Sequence, residues 1–229
     1  MAQEHVWEKE YRNPQFVTKF DKPQPFILAL AKYIRKQKKW KWDEVRVLDL
    51  GSGTGRNSVY FAQKGAHVTG IEISPSAVHF AKLLASKNNL DISYRIGSFG
   101  KTFDGILDEK VDLVLDVTSS NSLDEQEREV YLHEVSRVLS KDGLFFVRGL
   151  LKDGDQNAKV LLQEYPGSEK DTYVMPSVGL QERVFSQEDF YALYKKYFSI
   201  IKFEKTQSYM SVGGKTFKRR FFIAYLELL

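Results

Sequence analysis

The chain has 229 residues, 42% of them hydrophobic, which is enough to bury one α/β domain with an extension and too few for two ordinary domains and a linker. Lys and Arg number 34 against 30 Asp and Glu, and the formal charge of +4 describes a mixed surface, by itself no nucleic-acid footprint. The absence of cysteine excludes disulfides, thiolate–zinc sites and catalysis through a covalent cysteine adduct.

The first residues, MAQEHVWEKEYR, lack the apolar centre of a signal peptide, and no apolar run approaches the roughly eighteen residues of a membrane span, so a soluble cytoplasmic protein is expected. Residues 1–44 are read as an N-terminal helical cover, in which Trp7, Phe16 and Phe26 suit packing of a helix on a sheet. VRVLDL then makes a buried strand that runs into a glycine-rich turn, GSGTG, and the helix RNSVYFA. Gly51, Gly53 and Gly55 lack a β-carbon, so a ligand can lie against the main chain at a helix N-terminus, where free amides favour an anion. Asp49, inside the apolar strand, costs desolvation unless it is hydrogen-bonded. A second strand, HVTGIE, ends in Glu72, whose carboxylate offers lone pairs for both hydroxyls of a ribose.

Ser74 and Pro75 give an N-cap and a first-turn proline, and Ala77, Val78, Ala81, Leu84 and Ala85 follow at helical spacing. ISYRIG and VDLVLD read as the third and fourth strands. A helix from Asp124 to Leu139 with Tyr131, Leu132, Val135 and Val138 on one side precedes a fifth strand, LFFVRG. Strands alternating with helices imply a parallel sheet. Residues 45–150 form the cofactor-binding half, and 151–185 an acceptor-side insertion whose Leu151 to Gln181 stretch shows no regular pattern and suits a binding loop. In 186–229, Ser186 starts a helix with Phe190, Leu193, Tyr194 and Tyr197 buried. SIIKFE, a Gly213-Gly214 turn region and KRRFFIAYLEL then close one sheet edge as a hairpin of the same single domain. Arg183, Arg219 and Arg220 are weaker candidates for fixing an anion, because basic residues that flank a terminal strand are most often solvated. The four histidines show no metal-ligand spacing, so no metal is expected.

Glycine spacing discriminates between cofactors. A dinucleotide fingerprint, G-x-G-x-x-G, would place its third glycine where Arg56 stands. The observed D-x-G-x-G-x-G with an acidic second-strand end resembles the S-adenosylmethionine site of the Rossmann-like class I methyltransferases. GRNSVYFA, with Arg56, Asn57, Ser58 and Tyr60, and the W-x-x-x-Y segment of Trp7 and Tyr11 before Pro14, are similar to the tellurite-resistance (TehB-like) and thiopurine-type small-molecule methyltransferases. The resemblance implies an α/β fold with a seven-stranded, mostly parallel sheet, an antiparallel C-terminal hairpin strand and helices on both faces. It also implies that the proline before PFILAL introduces a helix covering the cofactor.

Carried onto this chain, the family pattern implies that Gly51, Ser52, Gly53 and Gly55 border the methionine and ribose portions, with Asp49 and Asn57 flanking them. Glu72 holds the ribose and Ile73 packs on the adenine. Ser98 and Phe99 stand where an aspartate commonly faces the adenine amino group. Asp116 and Val117 run under the methionine chain, where Asp116 either meets the ammonium or caps the next turn. Tyr11 either covers the methyl centre or packs structurally. Asp116 and Tyr11 are the candidate bases. Arg148, at the carboxyl edge of the fifth strand, fixes an anionic acceptor or the cofactor carboxylate, or pairs with a loop carboxylate. The expected activity is in-line methyl transfer from S-adenosylmethionine to a small-molecule acceptor such as a thiol or a chalcogen oxyanion, leaving S-adenosylhomocysteine. The expected partners exclude membranes and disfavour nucleic acid, and the state is monomer or homodimer. A protein or RNA acceptor, or a non-catalytic cofactor-binding module, are the alternative readings.

Overall fold

The computed structural model describes residues 3–14, 22–103, 110–212 and 215–229, with the side chains of 210–212 and 215 excluded. Seven strands form one sheet in the order β3-β2-β1-β4-β5-β9-β8. These are β1 (Arg46–Leu50), β2 (His67–Glu72), β3 (Ser93–Ile96), β4 (Val111–Val117), β5 (Leu139–Leu150), β8 (Phe198–Val212) and β9 (Lys215–Leu228). The first five pair in parallel, and β9 lies antiparallel between β5 and β8. This is the seven-stranded, mostly parallel sheet with an antiparallel C-terminal hairpin that the resemblance implies. The Gly213-Gly214 turn and Phe16 lie outside the described residues.

Parallel strands covered on both faces read as continuous apolar runs, and the alternation shows why. Leu113 and Leu115 of β4, Leu144 and Phe146 of β5, and Ile223 and Tyr225 of β9 face one core with α2 (Pro25–Gln37) and α3 (Arg56–Ala62). Val114, Phe145, Val147, Phe222 and Ala224 face the other core, with α5 (Glu125–Val138) and α7 (Gln187–Tyr194). The helix α4 (Pro75–Lys87) packs on α3 and β3 through Val78, Ala81 and Tyr94. Its start is fixed as the sequence indicates: the Ser74 hydroxyl accepts from the Ala77 amide at 3.1 Å. At α5 the Asp124 and Glu127 side chains cap reciprocally, each accepting the other's backbone amide.

Two expectations change. The helix after Pro25 does not cover the cofactor side: Ile27, Leu30, Ala31 and Ile34 bury it on the sheet, because its apolar stripe is wide enough to join the core. The cover is α1 (Glu4–Arg12), which docks on α4. The insertion, expected to be irregular, contains α6 (Gln156–Glu164) and an antiparallel pair, β6 (Thr172–Met175) and β7 (Leu180–Arg183). A small core of Ala158, Tyr173, Met175 and Leu180 against Leu150 and Phe221 holds it, so its order comes from contacts distant in sequence. Among the described residues no helix is long and apolar enough to cross a membrane.

Candidate active site

Open α/β sheets bind ligands beyond the carboxyl ends of their strands, where neighbouring connections leave in opposite directions. Here β1 lies between β2 and β4, and a cavity of about 570 Å³ opens above its end. Its floor is the glycine loop. Gly53 has φ +55° and its amide donates to the Glu72 carboxylate at 2.9 Å, while the Ser74 amide donates to the other Glu72 oxygen at 2.9 Å. Burial pushes the Glu72 carboxyl up to about 7, against the lowering effect of these amides. Gly55 serves packing instead of the cavity: at φ +84°, a β-carbon there would lie 2.5 Å from the Tyr94 hydroxyl and 2.9 Å from Ala81, closing the α3–α4 contact.

Gly51, Ser52, Gly53, Asn57, Glu72 and Ile73 line the cavity, as do Ser98, Phe99 and Val117. Two of the other residues expected there do not. Asp49 lies beneath the loop, where its carboxylate accepts from the Ser58 hydroxyl at 2.6 Å and burial raises it to about 6. Asp116 is fully buried with one oxygen accepting from the Ser119 and Ser120 amides, each at 3.1 Å, and the other from the Tyr131 hydroxyl at 2.7 Å. It is the cap of the turn after β4, and its engagement below the cavity removes it as a base.

The roof is α1, held by two latches, one at its N-terminal end and one at its middle. At one end the Gln3 side chain donates to the backbone carbonyls of Ser122 and Gln181 and accepts from the Gln181 amide at 2.7 Å. At the other, the Glu8 carboxylate accepts from the Ser74 hydroxyl at 2.6 Å, the Ser76 hydroxyl at 2.7 Å, the Ser76 amide at 3.1 Å and Arg12 at 2.7 Å. Burial alone would raise the Glu8 carboxyl, but these donors outweigh it and hold the group at about 2. Trp7 and Tyr11 line the cavity from the same helix, their rings 6.1 Å apart. Trp7 also packs against the small core of the insertion, so the packing expected of it and a place at the cavity coexist. Burial, then the Glu72 charge, pushes the Tyr11 phenol well above its ordinary value, which favours its protonated form.

On the far side stand Arg148 and Glu182. Arg148 pairs with Val117 of β4, which puts it at the strand ends as the sequence suggests, but among the described residues it makes no salt bridge to a loop carboxylate; Phe221 and Phe26 stack on it. Phe26 in turn packs on Phe146, the core role expected of it. Glu182 is 7% exposed and accepts from the Tyr173 hydroxyl at 2.7 Å. Arg219 donates to that same hydroxyl at 3.0 Å and to Asp155 at 3.0 Å, so it is a buried organiser of the insertion and not a solvated flank. Burial raises the Glu182 carboxyl and Arg219 lowers it, with burial prevailing. The sequence offered no signal for Glu182, Gln24, Asn121 or Tyr209 as cavity residues, because each arrives from a separate element.

Residues 47–143 match the model for a methyltransferase domain. S-adenosylmethionine is the cofactor of this class, and the residues fit it. Each Glu72 oxygen accepts one backbone amide and keeps a further lone pair, and Ser52 Oγ and Asn57 Oδ1 are buried at the cavity with no partner. The chain is similar to a ubiquinone biosynthesis O-methyltransferase from Pelagibacter ubique, 33% identical over 47% of this chain and 43% of that protein. It is also similar to a ribosomal protein L11 methyltransferase from Clostridium perfringens, 28% identical over 57% of this chain and 37% of that protein. The match thus spans less than half of either curated relative. Among solved structures, the PH0226 protein of Pyrococcus horikoshii superposes with a TM-score of 0.72 at 21% identity, covering 96% of this chain and 99% of that one. TehB from Haemophilus influenzae gives 0.65 at 16% identity, covering 99% of this chain and 67% of that one, a likeness of fold.

Proposed function

We propose that the protein methylates a small-molecule acceptor using S-adenosylmethionine. The observation that carries the reading is the double latch of α1 over a cavity of about 570 Å³, a size that suits small ligands and a roof that obstructs a folded macromolecule. When bound, S-adenosylmethionine supplies an electrophilic methyl carbon on a good leaving group. The protein's part is to orient and to exclude water: Glu72 and the glycine loop hold one end, Trp7 and Tyr11 close the top, and Arg148 and Glu182 frame the acceptor. For a protic acceptor such as a thiol, Glu182 takes the proton, its raised carboxyl making it a stronger base than an exposed glutamate. The TehB-like resemblance favours a thiol or a chalcogen oxyanion, and α1 and residues 151–185 act as the cofactor cover and acceptor-side wall of one domain.

The test is transfer from labelled cofactor to thiols, selenite, phenols, amines, bulk RNA and ribosomal protein. Label in a small molecule is the expected result. Label confined to RNA or protein would replace the acceptor class, and cofactor binding with no transfer to any of them would favour the non-catalytic reading.

A further inference from the structure

The acceptor side of the cavity contains a buried cation to which no described residue gives an anion. Arg148 is 7% exposed, and its guanidinium carbon lies 3.6 Å from the centre of the Phe221 ring and 4.8 Å from that of Phe26. Rings occupy the faces of a guanidinium and leave its in-plane N–H donors free. Among the described residues no carboxylate pairs with these donors and no carbonyl accepts from them, while the residue lines the cavity. The charge acting on it most strongly is a second cation, Arg56, which together with burial brings it down to about 9. A guanidinium held beside another cation and away from water is costly unless an anion joins it.

A second unmatched donor faces the same space. Asn121 is 1% exposed; its Oδ1 accepts from the Leu150 amide at 3.3 Å, which fixes the side chain, and its Nδ2 is buried at the cavity with no partner. Trp7, Leu150 and Phe221 supply apolar wall on this side. Arg56 begins α3 directly after Gly55 and lines the cavity at the glycine loop, where it would meet the cofactor carboxylate and leave Arg148 for a second ligand.

We propose that the acceptor is an organic anion whose carboxylate docks on the Arg148 guanidinium, with the Asn121 amide as a further donor and its apolar body against Phe221 and Leu150. This rests on the methyltransferase reading above. A carboxylate matches the planar fork of a guanidinium with two parallel hydrogen bonds, and an uncharged isostere leaves the cation unmatched.

The experiment uses the full chain saturated with S-adenosylhomocysteine and titrates benzoate, benzamide and selenite, following thermal unfolding and heat of binding. Benzoate is expected to bind at least about tenfold more tightly than benzamide, with the preference lost in Arg148→Gln, partly kept in Arg148→Lys, and reduced in Asn121→Ala. S-adenosylhomocysteine affinity should stay within about twofold in Arg148→Gln, the margin below a lost charged hydrogen bond. Equal binding of benzoate and benzamide overturns the inference, as does a benzoate preference that survives Arg148→Gln. A parallel loss of S-adenosylhomocysteine affinity in that variant also overturns it and makes Arg148 a cofactor ligand; binding of selenite alone overturns the organic part. A wild-type chain that does not bind S-adenosylhomocysteine defeats the underlying reading as well, a failure distinct from normal cofactor binding without anion preference.

Discussion

The Tyr11 hydroxyl lies 2.7 Å from the point where a β-carbon on Gly53 would stand. The roof of the cavity is therefore fitted to the bare backbone of its floor, across 42 positions of sequence, and neither residue can be read without the other. Gly53→Ala should weaken S-adenosylhomocysteine binding at least about tenfold by forcing the two apart at a left-handed backbone position. Adding Tyr11→Phe removes the colliding oxygen and leaves the nearest ring carbon 3.7 Å away, so the double variant should regain part of the affinity. Calorimetry on the four proteins measures the coupling, and simple additivity would show that Tyr11 does not press on the loop.

Glu72 carries a pH dependence whose sign is fixed by its environment. With the carboxyl raised to about 7, lowering the pH protonates it in the folded protein and removes the charged acceptor for ribose hydroxyls. S-adenosylhomocysteine affinity should fall by up to about tenfold per pH unit below this value. Because the folded group binds its proton more tightly than the unfolded one, its contribution to stability declines as pH rises from the ordinary glutamate value of 4.5 toward about 7. Glu72→Gln should weaken binding by about 1 to 3 kcal/mol and flatten the profile; an unchanged profile would place the titration elsewhere.

The Glu8 latch has the opposite sign. Its carboxyl is depressed to about 2, so the stabilisation it gives is present above 4.5 and fades as pH falls through about 2, and at neutral pH the latch is fully charged. Glu8→Ala should lower global stability by only about 1 kcal/mol, while increasing amide hydrogen exchange across α1 and slowing methyl transfer. Loss of global fold with no preferential opening of α1 would show that the contact is ordinary packing.

Asp116 separates structure from catalysis. Its neighbours, the Ser119 and Ser120 amides and the Tyr131 hydroxyl, all donate to it, so Asp116→Asn should cost about 1 to 3 kcal/mol in thermal or urea unfolding while leaving S-adenosylhomocysteine affinity nearly unchanged. A variant with wild-type stability and abolished turnover would restore the base that the geometry removes.

The sequence by itself determined the local grammar of this protein. Strand runs, glycine turn and caps such as Ser74 and Asp124 act over a few residues, so the alternation of elements, the sheet and the Gly51–Glu72 cofactor floor were legible from residue order alone. Asp49 and Asp116 show the limit of that legibility: an acidic residue at a strand end looks the same whether it faces a ligand or caps a turn beneath it. Only the tertiary structure decides, by whether its lone pairs are already taken. The roof and far wall were equally hidden. Gln3, Arg148, Glu182 and Phe221 belong to four separate elements, and what they do depends on the antiparallel return of β9 beside β5 and on the seating of α1. Those arrangements are fixed by buried area summed over the whole chain, a non-local quantity that no short window of sequence contains.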